Sequence, residues 1–67
     1  MGVENHVRKL RQERKITQVQ MAADLSTSRQ TIIAIENNKY NPSLEMALRI
    51  SDYFELPLQK IFYLKDS

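Results

Sequence analysis

An all-α fold of five short helices is the architecture this sequence predicts, and three observations predict it. Apolar side chains recur at spacings of three and four along most of the chain. Cap-type residues, Asn5, Thr17, Ser28 and Ser43, stand just ahead of the periodic stretches. Valine, isoleucine and threonine fall singly or at helical spacing, and with one glycine in the chain no run alternates as a strand in a sheet does. The 67 residues make one domain, 1–67, at the small end of what a single apolar core stabilises unaided.

The elements follow in order. Val7, Leu10 and Arg14 define a stripe on a first helix from about Asn5 to Lys15, with Asn5 as its N-cap. Thr17 offers its hydroxyl to the amides of a second helix beginning at Gln18, and Gln20 can reach back to complete a capping box. Ser26, Thr27 and Ser28 break that run, and Ser28 caps a third helix extending to about Asn37. Residues 37–42 read as a loop. Ser43 caps a fourth helix in which Leu44, Ala47, Leu48, Ser51 and Phe54 share a core-facing side, leaving Met46 and Tyr53 pointing away. Pro57 suits the first turn of a fifth helix over Leu58–Phe62. Val3 and the Phe62–Lys65 tail are a candidate pair for a minor terminal β ribbon.

Composition excludes several classes. Cysteine is absent, so there are no disulfides and no thiolate metal site, and a cytoplasmic protein is the simplest expectation. Apolar stretches are only a few residues long, too short for a signal peptide or membrane span. Net charge is +2, unevenly placed: up to Lys39 there are seven basic residues against four acidic, and from Tyr40 onward three against four. That asymmetry fits a nucleic-acid face backed by a packing or dimer face, and equally an ordinary solvated surface.

The segment 18–37 concentrates the functional signal. Met21, Ala22 and Leu25 lie on one face of the second helix and Ile32 and Ile35 on the third, five groups able to close a corner between crossed helices. The outward side of the third helix carries Ser28, Arg29, Gln30, Ile33, Ala34 and Asn37. Arg29 matches guanine O6/N7 in geometry and Gln30 adenine N6/N7, while Ile33 can meet a thymine methyl or pack on the loop after Asn37.

Together L-R-Q-E-R-K-I-T-Q, S-R-Q-T-I, I-E-N-N-K-Y-N-P-S-L and the I-F after Pro57 resemble the Cro/C1-type helix-turn-helix family, the xenobiotic-response-element family of small regulators, from about Val7 to Phe62. The likeness is nearest to stand-alone repressors of the cytolysin-operon type. It implies a five-helix lambda-repressor-like domain that binds double-stranded DNA as a homodimer, and no cofactor. It further implies base contacts from Ser28, Arg29, Gln30, Ile33 and Ala34 and phosphate contacts from Thr17, Gln18, Asn37 and Lys39, Thr17 and Gln18 being also readable as plain capping. In this family an arginine on the first helix pairs with a glutamate near the end of the third. Arg11 and Glu36 match, with Arg11 a further phosphate candidate. Two positions depart from the family pattern. Ser26 stands where the turn often has glycine, so it needs a left-handed backbone, and Thr27 replaces a branched apolar residue.

Enzyme chemistry finds no support, since His6 is the only histidine, no glycine-rich phosphate loop occurs and no acidic cluster has metal-ligand spacing. Neither a membrane nor a small-molecule ligand is implied. A pseudo-palindromic operator read by a dimeric repressor is one expectation. The alternative is an antitoxin-like or adaptor module, which would usually carry a partner-binding arm longer than residues 63–67. For a dimer, the region at about 53–67 is the candidate interface. Leu58, Ile61, Phe62, Tyr63 and Leu64 are more apolar than one short helix can bury, and with Ile61 closing the monomer core, Leu58, Phe62, Tyr63 and Leu64 remain for the symmetry mate.

Overall fold

The computed structural model describes residues 2–65 and runs β1 (Val3–Asn5), α1 (Val7–Glu13), α2 (Gln18–Asp24), α3 (Arg29–Glu36), α4 (Leu44–Phe54), one 3₁₀ turn (Leu58–Lys60) and β2 (Phe62–Leu64). The architecture is therefore mostly helical, with four α-helices in place of the five expected, and the minor terminal ribbon expected of Val3 and the Phe62–Lys65 tail is present as a small two-stranded sheet. Past Pro57 the chain makes only the 3₁₀ turn. The carbonyl of Ile61 accepts from the His6 amide at 2.8 Å, and Phe62–Leu64 then pairs antiparallel with β1 in the register Val3↔Leu64, Glu4↔Tyr63, Asn5↔Phe62. A helix so short gains little over its nucleation cost, and the ladder wins.

Asn5 is likewise not the helical N-cap, which is His6. It sits in β1 and still serves the helix, because its Oδ1 accepts from the Val7 amide at 3.0 Å while its Nδ2 donates to the Ile35 carbonyl at 3.0 Å. One side chain thus satisfies an orphan donor at the start of α1 and adds a second donor to the Ile35 carbonyl, which also accepts from the Asn38 amide, near the end of α3. Thr17, Ser28 and Ser43 cap as expected, accepting from Gln20, Thr31 and Met46 amides. The capping box is only half made. Gln20 does not reach back, and its Nε2 donates to Asp24 Oδ1 at 2.7 Å.

All four helices end alike, with a left-handed non-glycine residue at Lys15, Ser26, Asn38 or Glu55. At the turn after α2 the Ser26 amide donates to Ala23 and the Thr27 amide to Ala22, the paired bonds of a Schellman motif. Ser26 has φ 56°, so the turn takes the left-handed form with serine in it. Ile16 and Leu56, each one residue past a left-handed residue, pack onto the core.

The core is Val7, Met21, Ala22, Leu25, Ile32, Ile35, Ile50, Phe54 and Ile61, so all five expected corner residues are buried. α4 is rotated from its expected phase. Leu44 is 71% and Leu48 50% exposed, whereas Ile50 is fully buried and Met46 and Tyr53 pack on the core's flank. The helix is apolar around much of its circumference, which offers two stripes, and the position of the α1–α3 corner selects the one centred on Ala47, Ile50 and Phe54.

Candidate nucleic-acid interface

Ser28 ends the turn and starts α3. Its Oγ accepts from the Thr31 amide at 3.1 Å and lies 3.0 Å from the Thr31 hydroxyl, so this expected base contact also holds the first turn of the helix together. Arg29 and Gln30 follow, exposed; Ile33 and Ala34, one turn on, are half-buried; Asn37 and Lys39 are exposed beyond the helix end. Ile32 and Ile35, fully buried, fix the rotation of α3 about its axis and with it the outward line of Arg29, Gln30 and Ile33.

What sets the angle between the helices is a polar hub around Glu36. Arg11 Nε donates to Glu36 Oε2 at 2.6 Å, and its Nη2 lies 3.3 Å from Oε1. Arg11 Nη1 also donates to the Ile16 carbonyl at 2.8 Å. Gln18 Nε2, from the first turn of α2, donates to Glu36 Oε1 at 3.1 Å. α1, α2 and α3 therefore converge on one buried carboxylate. Burial pushes the Glu36 pKa up, but hydrogen bonds from Arg11 and Gln18, the charge of Arg11 and a bond from Arg8 outweigh it, leaving the group below its ordinary range. The structure thus brings Arg11 and Glu36 together, buries both, and occupies the Gln18 amide inside the protein.

Beside the hub, Arg8, Arg11, Gln12, Thr17, Gln18, Val19 and Arg29 line a shallow open groove of ≈ 480 Å³. Three guanidinium groups and no carboxylate border it, which suits a polyanion. Sequence reasoning missed Arg8. Its signal was available in the spacing, three residues before Arg11 on one helix. Val19, 62% exposed on this wall, was also missed, and an exposed valine among polar neighbours is visible only once the helix phase is known.

The remaining predicted residues lie in a separate place. Val3, Leu58, Gln59, Phe62, Tyr63 and Leu64 line an apolar depression that adjoins Pro42, Leu44 and Ala47. Leu64 is 73% exposed. The last two residues of the expected 53–67 region lie outside the described residues. Among the described residues no group of histidine, cysteine or acidic side chains has the arrangement to hold a metal ion, and no helix is long and apolar enough to cross a membrane.

Comparison with known proteins places this geometry. A family described as Helix-turn-helix matches residues 7–61. Over 64 residues the sequence is 41% identical to an uncharacterized HTH-type transcriptional regulator of Methanocaldococcus jannaschii, spanning 96% of this chain and 97% of that protein. It is 33% identical over 64 residues to the uncharacterized HTH-type transcriptional regulator YgzD of Bacillus subtilis, with the same coverage of 96% and 97%. A crystal structure from Bacteroides fragilis, of a protein described as a candidate DNA-binding protein, superimposes with a TM-score of 0.81 at 21% identity over 91% of this chain and 98% of that one, a likeness of fold.

Proposed function

This chain belongs to the Cro/C1-type helix-turn-helix family of DNA-binding transcriptional regulators, and on that premise we propose that it is a cytoplasmic repressor that reads a pseudo-palindromic operator as a homodimer. The observation that carries the reading is the exposure of Arg29 and Gln30 on the first turn of a helix whose rotation the buried Ile32 and Ile35 fix. A rigid helix presenting bidentate donors and acceptors at its N-terminal end is what major-groove recognition requires. Ser28, Ile33 and Ala34 complete the base-reading line, and Thr17, Gln18 and Lys39 hold the backbone on either side. Arg11 acts mainly by holding Glu36, and through it the angle of α3.

The apolar depression supplies the dimer contact, with Leu58, Phe62, Tyr63 and Leu64 meeting their symmetry mates. A two-fold axis there sets the recognition helices one helical turn of DNA apart, about 34 Å. Repression then follows from occupancy, since a dimer filling two adjacent major grooves excludes any other protein from the same site.

Selection of bound duplexes from a random pool tests the reading. An inverted repeat with half-sites about 10 base pairs apart is expected. On it Arg29→Ala and Gln30→Ala each lose roughly 1–3 kcal/mol, with a much smaller loss on random DNA. Lys39→Ala weakens binding to every sequence alike. A pool without enrichment would instead favour a protein-interaction module.

A further inference from the structure

We propose that Arg8 is a phosphate ligand of the DNA backbone, held in position by Asn37. The inference rests on the DNA-binding reading and extends it to α1, outside the two-helix unit that carries the recognition helix. Arg8 spans from α1 to the end of α3: its Nη2 donates to Asn37 Oδ1 and its Nε lies 3.5 Å from Glu36 Oε1. Its side chain is nevertheless 52% exposed and stands on the wall of the basic groove with Thr17, Gln18 and Arg29.

Charge decides what Arg8 can do there. Glu36 carries one negative charge, and the buried Arg11 takes it at 2.6 Å with two of its nitrogens. Arg8 is the longer and more exposed partner, so its positive charge is left largely uncompensated at the groove. A guanidinium has five N–H donors in a fixed fork. The contacts to Glu36 and Asn37 engage Nε and Nη2, which leaves Nη1 and one hydrogen of Nη2 for an incoming oxyanion.

Holding the fork before DNA arrives lowers the rotamer entropy lost on binding, because a long side chain otherwise gives up several freely rotating bonds at the interface. Asn37 is then a positioning residue. Its carbonyl oxygen is already committed to Arg8, and its effect on DNA passes through that arginine.

The test is salt-dependent binding of the full chain to a fluorescent duplex, run on a selected cognate site and on a random-sequence duplex. Arg8→Ala is expected to lower affinity by the same factor on both and to reduce the slope of log K against log salt by about 0.9 for each protomer in the complex, the value for one phosphate contact. Arg8→Gln, which can still bond to Asn37 but is uncharged, should give the same slope change with an unaltered melting temperature, separating a lost phosphate contact from a loosened fold. Asn37→Ala should weaken binding several-fold with Arg8 present and not at all with Arg8→Ala. An unchanged slope in both Arg8 variants would overturn the proposal while leaving the DNA-binding reading intact, provided Arg29→Ala still loses discrimination. Additive losses in the Arg8/Asn37 double variant would overturn the positioning role. Failure of the unaltered protein to bind either duplex would overturn the function beneath it and this inference together.

Discussion

The α1–α2–α3 corner and the surface made by α4, the 3₁₀ turn and the ribbon treat their awkward groups in opposite ways. In the corner, charged and polar side chains are taken inside and given partners: Arg11 and Glu36 are both buried, and no buried side-chain nitrogen or oxygen among the described residues lacks a hydrogen bond. On the other surface, apolar groups are left outside, with Leu44, Leu48 and Leu64 at least half exposed. The corner is complete within one chain. The apolar surface is what the proposed second copy would cover, and on that proposal the two regions would divide the work into a reading head and an assembly face.

The largest expected effect falls on the corner. Glu36→Ala leaves Arg11 buried beside no carboxylate, and stranding one partner of a buried pair costs about 3–5 kcal/mol. Small domains have net stabilities of roughly 5–15 kcal/mol, so this substitution should move the denaturation midpoint far toward zero. A change below about 1 kcal/mol in a denaturant titration would mean that Arg11 is rescued by water and that the corner is less closed than its geometry indicates.

Leu64→Asp probes the opposite region. The side chain is largely exposed, so folding of the monomer should change by no more than about 0.5 kcal/mol, while self-association and operator affinity fall together. Analytical ultracentrifugation at micromolar concentration separates the outcomes. A wild-type protein that sediments as a monomer both free and on DNA would erase the proposed contrast between a finished and an unfinished face.

Acid sharpens the same contrast. Because the folded pKa of Glu36 lies below its unfolded value, the hub stabilises the fold fully above the ordinary glutamate pKa of about 4.3, and that stability drains away as pH falls from there through the folded pKa. Thermal melts between pH 6 and pH 3 should show this loss in the wild type and in Leu64→Asp, but much less of it in Glu36→Gln, whose side chain has no charge to lose.

The two regions also differed in how readable they were from sequence. The corner was read correctly because small and branched apolar residues at fixed spacing admit one arrangement: Met21, Ala22, Leu25, Ile32 and Ile35 have no other way to be covered. α4 was misread because its apolar residues form two stripes, and nothing local tells Leu44 and Leu48 from Met46 and Ile50. The segment after Pro57 offered two readings, a helix over Leu58–Phe62 and a ribbon with Val3, because local spacing cannot weigh a helical turn against pairing with a strand some sixty residues away; the ribbon forms and the helix does not. Arg8 escaped for a related reason. Its place three residues before Arg11 marks a shared face of α1, but its role depends on Asn37, a partner that the spacing does not show. At the level of the site, the spacing of Arg29 and Gln30 was local and visible, whereas the groove that joins Arg29 to Arg8 and Val19 exists only in the folded chain.

The smallest expected effect lies where the two regions touch. The Tyr53 hydroxyl, on α4, donates to Asp24 Oδ2 at the end of α2 at 2.6 Å. Burial of the phenol raises its pKa, the hydrogen bond and negative charge of Asp24 raise it further, and the result is pushed up to about 12. The sign follows from which form the fold prefers. The neutral phenol is favoured in the native state, so the contact is fully stabilising below the ordinary tyrosine pKa of about 10 and is lost as pH rises through that value toward 12. Part of the group is open to solvent, so the effect on stability is slight and is better read by spectroscopy than by melting. An absorbance titration of phenolate formation in the folded protein should show a late phase near pH 12 that disappears in Tyr53→Phe and moves toward 10 in Asp24→Asn. If Asp24→Asn leaves that late phase in place, burial alone raises the tyrosine, and α2 and α4 are joined by packing without the hydrogen bond.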